Sequence, residues 1–168
     1  MIQKLLQLEL REVLIPIAVL AAGACISFLF RLNSGSKSFG IWQWWIPVLL
    51  YALFIFFLSN RSYPDAVPTF STKIFHPIEY AVLGLLLCLA WFSVPGKKGL
   101  LSLAIRVLSV GLLYAASDEF HQAFIPGRTP RIVDVVVWDF LGLCLGCVMF
   151  LLIGFLLRDT NEATVESV

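Results

Sequence analysis

The sequence predicts an all-α integral membrane protein, a bundle of about five transmembrane helices with a polar cluster at one membrane face. Three observations carry that expectation. The 168 residues are 60% hydrophobic and only 14% charged, and their mean hydropathy of +0.90 lies far from the balance of an average soluble domain. A hydrocarbon core of about 30 Å takes roughly 20 apolar residues per helix, so the length accommodates four or five spans and no separate soluble domain. Finally, Glu79, Asp118, Glu119, Asp134 and Asp139 fall inside those spans or at their ends, where a carboxylate is expensive.

The first twelve residues mix Lys4, Glu9, Arg11 and Glu12 with leucines, and no A-x-A-like site follows. They read as an amphipathic lead-in and not as a cleavable signal. A first span covers residues 13–30, with Pro16 and Gly23 tolerated as they often are in membrane helices, and "RLNSGSKS" ends it. The second, residues 41–58, opens on "IWQWW", an aromatic belt suited to the headgroup level, and closes in the Pro/Ser/Asp loop "SNRSYPDAVPTFST". The third, 73–94, stops at "PGKKG", a Pro-Gly turn with two interfacial lysines. The fourth, 100–124, is broken by "IPGRTPR", and the fifth runs over 132–157. The polar tail "RDTNEATVESV" reads as disordered. The organisation is therefore a lead-in, extra span and loop over 1–40, a four-helix transmembrane domain over 41–157, and a tail over 158–168.

A net charge of +1 with no basic stripe excludes nucleic acid as a partner and leaves the lipid bilayer as the first one. Cys25, Cys88, Cys144 and Cys147 all lie in apolar runs, where a free thiol packs as a small hydrophobe. Cys144 and Cys147 match C-x-x-C, but at lipid depth they lack the polar setting of a reactive thiolate. Arg106 reads as an arginine snorkelling toward Lys97 and Lys98. Gly142 and Gly146 read as helix-packing residues.

Five spans put the termini on opposite sides. Lys4, Arg11, Arg61, Lys73, Arg128 and Arg131 then face Arg31, Lys37, Lys97, Lys98 and Arg158, six against five. Lys73, Arg128 and Arg131 lie beside the acids and belong to the chemistry there. Discounting them leaves three against five, so the positive-inside rule puts the 31–40 and 94–99 loops in the cytoplasm and the acidic cluster on the outer face.

That cluster gathers residues distant in sequence. The third span starts, the fourth ends and the fifth starts on one side, which brings Lys73, His76, Glu79, Tyr80, Asp118, Glu119, His121, Gln122, Arg128, Asp134 and Asp139 to one surface. Helical spacing aligns His76, Glu79 and Tyr80 on one face of the third span, and Tyr114, Ser117, Asp118, His121 and Gln122 on one face of the fourth. Each carboxylate costs on the order of 2.5–3.5 kcal/mol at lipid depth. An interhelical hydrogen bond returns about 0.6 kcal/mol on average, too little for helix fastening alone to account for five of them. Arg128, in a Pro-Gly-Arg turn, has the fork geometry to hold a carboxylate or phosphate. On an ideal helix Asp134 and Asp139 stand about 140° apart, so either a local irregularity brings Asp139 into the cluster or it has another partner.

"HPIEYAVLGLLL", "SDEFHQAFIPGRTPRIVD" and the Gly-x-x-x-Gly run "GLCLG" together resemble the VanZ-like family of small bacterial membrane proteins, over roughly residues 55–150. The resemblance implies a multi-pass protein of the bacterial cell membrane, associated with the cell envelope and with lowered susceptibility to glycopeptide antibiotics, notably teicoplanin. It carries the family's polar positions onto Lys73, His76, Glu79 or Tyr80, Asp118, Glu119, Gln122, Gly127, Arg128 and Asp134. One departure stands out: the family's second Asn or Asp, one turn after Asp134, falls on Trp138, with Asp139 one residue later.

Three functions fit these residues. The cluster can bind or shield the polar head of an envelope lipid, a peptidoglycan precursor or a glycopeptide, with Arg128 on phosphate or carboxylate and the acids on amines or hydroxyls. It can be an intramembrane hydrolase or transferase acting on a lipid-linked substrate, in which carboxylates and His76 or His121 activate water or hold a divalent metal; the sequence names no cofactor beyond that option. Or it can serve a small ion- or proton-coupled transporter. The sequence contains no Gly-x-Ser-x-Gly and no His-Glu-x-x-His, which counts against the second. Its polar residues gather at one rim, which counts against the third. Binding or shielding leads, and the sequence sets no oligomeric state.

Overall fold

The computed structural model describes residues 42–60, 69–96 and 99–166. The lead-in and the span expected at 13–30 lie outside them. Helix α1 covers Trp42–Ser59, α2 Thr69–Ser93 and α3 Leu100–Gln122, and a π-helical turn at Asp134–Asp139 leads into α4, Phe140–Glu166. No strand occurs among the described residues. The stretches His76–Ser93, Leu100–Gln122 and Asp134–Leu156 are long and apolar enough to cross a membrane, and Trp44–Ser59 is a shorter apolar helix. The protein is thus a helical membrane bundle, and four of the five expected spans are described as helices.

One expectation is corrected. The tail taken as disordered continues α4 as far as Glu166. Nothing from Phe155 to Glu166 is glycine or proline, so no residue there breaks the i→i−4 ladder, and polarity alone does not end a helix.

Helix α2 is the hub, packed against α1, α3 and, most extensively, α4. Its buried face presents Tyr80, Leu83, Leu87 and Ala90 to Tyr51 and Ile55 of α1, Val107 of α3 and Leu143 of α4. Outward-facing Leu53, Phe57, Leu113 and Phe155 are exposed, as expected where the surrounding solvent is hydrocarbon.

Glycine sets the α2–α4 distance. A Cβ on Gly142 would lie 2.6 Å from the Pro77 carbonyl oxygen, one on Gly146 would lie 2.6 Å from the Leu85 amide nitrogen and overlap the Ala81 carbonyl, and one on Gly84 would lie 2.9 Å from the Leu143 carbonyl oxygen. Backbone meets backbone here, the close approach that small residues permit between membrane helices. Cys88 and Cys147 meet across the same seam with their Sγ atoms 3.7 Å apart, and Cys88, Cys144 and Cys147 are free thiols. Toward the other end of the bundle Trp45 and Trp91 pack edge to face at 5.0 Å. The Arg106 guanidinium lies 5.4 Å from the Trp91 ring centroid, two residues from the end of α2.

Candidate functional site

The end of α1, the start of α2, the end of α3 and the π turn before α4 form one polar end. The π turn is the local feature that completes it. In a turn closed by i→i+5 hydrogen bonds, residues five apart come onto nearly the same face. Asp134 and Asp139, the first and last residues of the turn, are both buried, at 8% and 1% exposure. The irregularity that Asp139 required is therefore present. The turn absorbs one extra residue, which brings Asp139 to the angular position that Trp138 would occupy in a regular helix.

Asp139 reaches α2, where its Oδ1 lies 2.9 Å from His76 Nδ1. With the carboxylate ionised, Nδ1 carries the hydrogen and donates it, which leaves Nε2 as the acceptor of a neutral ring. On α3, Asp118 Oδ2 accepts from Ser59 Oγ at 2.7 Å and from Gln122 Nε2 at 2.9 Å. Gln122 also lies 3.4 Å from Ser59 Oγ. Glu119 plays a separate part. Its Oε2 accepts from the Arg131 backbone amide at 2.7 Å, fixing the loop that enters the next helix, where a carboxylate suits the helix N-terminus. Arg128 Nη2 donates to the Leu58 carbonyl at 3.1 Å and so ties that loop to the end of α1. Gly127, with φ of 79°, makes the turn before it, a conformation other residues rarely adopt.

The structure thus brings together His76, Glu79, Tyr80, Asp118, Gln122, Asp134 and Asp139, with Glu119 and Arg128 bracing the loop above them. His121 is not part of this interior. Its ring packs on Phe56 at 4.5 Å between centroids and its Nε2 lies 3.4 Å from Asn60 Oδ1. Ser117, expected on the site face, is exposed and donates to its own helix at the Tyr114 carbonyl, 2.7 Å away. Lys73 belongs to α2, but its side chain lies outside the described residues.

Sequence reasoning missed Ser59, which is 5% exposed and supplies one of the two donors to Asp118. The signal was available. The second span ends on the same side as the third begins, so its last polar residue belongs with the cluster. Tyr114 also reaches α1, donating to the Ala52 carbonyl at 2.5 Å.

Polar atoms remain over. Tyr80 Oη, Asp118 Oδ1 and Asp134 Oδ1 are buried and have no hydrogen-bond partner. Buried polar groups are nearly always paired, so such orphans call for an explanation. Among the described residues no three His, Cys, Asp or Glu side chains are placed to hold a metal ion, so the divalent metal that the residue types admit finds no assembled ligand set there.

The family model described as VanZ/LLP1 matches residues 17–154 of this sequence. No curated protein and no solved structure matches it.

Proposed function

This chain belongs to the VanZ/LLP1 family, and we propose that it binds or shields the polar head of an envelope lipid, a peptidoglycan precursor or a glycopeptide at the outer face of the bacterial cell membrane, lowering susceptibility to teicoplanin-type antibiotics. The observation that carries this reading is the surplus of buried oxygen atoms without partners, on α2, α3 and the π turn, at one end of an apolar bundle. A network built only to fasten helices would close its own hydrogen bonds. A network built for a ligand leaves some for the ligand to close.

Asp118→Asn keeps the shape of the side chain and removes its charge. Teicoplanin susceptibility should rise to that of cells lacking the protein while the amount in the membrane stays constant, and an unchanged susceptibility returns the cluster to helix fastening. The face is tested separately. Thr129 is exposed in the loop after α3, so Thr129→Cys should react in intact cells with a membrane-impermeant thiol reagent that leaves the parent chain unlabelled. Labelling that appears only after lysis contradicts an outer-face site.

The His76–Asp139 pair favours a second reading, an intramembrane hydrolase or transferase. Asp139 orients the ring; Nε2 takes the proton from water or a hydroxyl as its oxygen bonds to the ester carbon or phosphorus of the substrate, and returns that proton to the leaving oxygen as the old ester bond breaks. Purified protein incubated with a total membrane lipid extract should then release a new product that His76→Gln does not, and no product with either leaves binding as the function.

A further inference from the structure

We propose that the group received by this polar end is a primary ammonium, a cation with three N–H donors, and not a phosphate. The inference rests on the binding reading above and names the chemistry of the bound group.

Among the described residues at this end, the carboxylates offer more acceptor sites than the hydrogen bonds made to them use. Glu79, Asp118, Glu119, Asp134 and Asp139 bring two acceptor oxygens each and no donor while ionised. Set against them are Ser59 Oγ and Gln122 Nε2 on Asp118, the His76 ring on Asp139 and the Arg131 amide on Glu119. Arg128, one of two guanidiniums in the loop at this end, places one of its nitrogens on the Leu58 carbonyl. Among the described side chains at this end, five carboxylates still outnumber Arg128, Arg131 and a protonated His76. An entering phosphate would add acceptors and negative charge where both are already in excess. An entering ammonium supplies what is missing.

Independent of the acids, Tyr80 points the same way. It is fully buried on α2, its hydroxyl has no partner, and its electrostatic neighbours are Asp139, Asp118, Tyr114 and Glu79. A phenol in the packed half of the bundle would bury its oxygen for nothing, since phenylalanine fills the same space. Those neighbours place the phenol at the polar end of the bundle, among its carboxylates. Tyr80 Oη, Asp118 Oδ1 and Asp134 Oδ1 are three buried oxygens without partners on three helical segments of this end, each able to accept a hydrogen from an ammonium.

The test uses the full chain in phosphatidylcholine nanodiscs and three amphiphiles that share a tail: dodecylamine (cationic at pH 7), dodecyltrimethylammonium and dodecyl phosphate. Calorimetry measures saturable binding above that of protein-free discs. Dodecylammonium should bind at least tenfold tighter than dodecyltrimethylammonium, which has the charge but no N–H, and dodecyl phosphate should show no saturable binding. Tyr80→Phe and Asp134→Asn should each weaken dodecylammonium at least tenfold. A purely structural Tyr80 would leave binding unchanged, and removing a hydroxyl that has no partner should not lower the melting temperature. If Tyr80→Phe does not fold, Asp134→Asn carries the test alone. Competition then identifies the source: displacement by phosphatidylethanolamine in the disc assigns a bilayer lipid, and displacement by glucosamine from solution assigns an aminosugar of wall material. Tightest binding of the phosphate, parent-like binding in the variants, or displacement by neither competitor overturns the proposal. Antibiotic susceptibility of Asp118→Asn cells reads the binding function separately, so an altered susceptibility beside failed ammonium selectivity rejects the ammonium and keeps the site.

Discussion

Along the α2–α4 seam backbone lies against backbone, while at the polar end of the bundle three buried oxygens have no hydrogen-bond partner. At the seam, any Cβ on Gly84, Gly142 or Gly146 would collide with main-chain atoms of the other helix. At the polar end that the seam adjoins, Tyr80, Asp118 and Asp134 each keep an oxygen without a partner. Rigidity in one region and unmet hydrogen bonding in the other belong to one design. The seam holds the π turn against α2 closely enough for Asp139 to reach His76, and so fixes the frame within which the open acceptors stay open.

Breaking the seam should have the largest effect. Gly146→Leu forces a branched side chain into the Ala81 and Leu85 backbone, and its destabilisation should meet or exceed the roughly 3 kcal/mol at the upper end of overpacking costs. Thermal unfolding in detergent checks this, and a melting temperature near that of the parent would show that the seam can open. Next comes the link between the regions. Asp139→Ala removes the acceptor for His76 and should cost about 1–3 kcal/mol, the penalty of a buried donor left unpaired. Ser59→Ala should cost about 1 kcal/mol, because Asp118 keeps Gln122 as a donor. The smallest effect is expected from a deletion. Removing the exposed Val136 lets the π turn relax to a regular α turn with Asp134 and Asp139 four apart and still on one face. Stability should stay within about 0.5 kcal/mol of the parent, the range of surface changes. A loss as large as that of Asp139→Ala would mean that the π geometry itself is needed.

Much of the bundle could be read from the chain because apolar run length and Pro/Gly punctuation decide where membrane helices start and stop. "PGKKG" and "IPGRTPR" bound α3 within two residues of where it lies. The membership of the polar end was legible from topology alone, since alternate spans must return to the same side. Its internal geometry was not. Nothing in "DVVVWD" announces a π turn, because that geometry comes from packing against α2 and not from local propensity. The packing of His121 was equally hidden: helical spacing aligns it with the site residues of its helix, and only the fold shows its ring lying on Phe56. Ser59 was overlooked because a lone serine at a helix end carries no signal until a carboxylate is placed beside it.

The central claim is that the polar end is left open for a ligand and does not merely fasten the helices. Its most direct measurement is the teicoplanin susceptibility of cells carrying Tyr80→Phe, compared at equal protein level in the membrane and with the melting temperature of the purified variant. The predicted result is a melting temperature equal to or above that of the parent together with loss of at least fourfold in protection, since the variant removes an unpartnered buried oxygen that costs stability and that the proposed ligand would use. Full protection in that variant would contradict it.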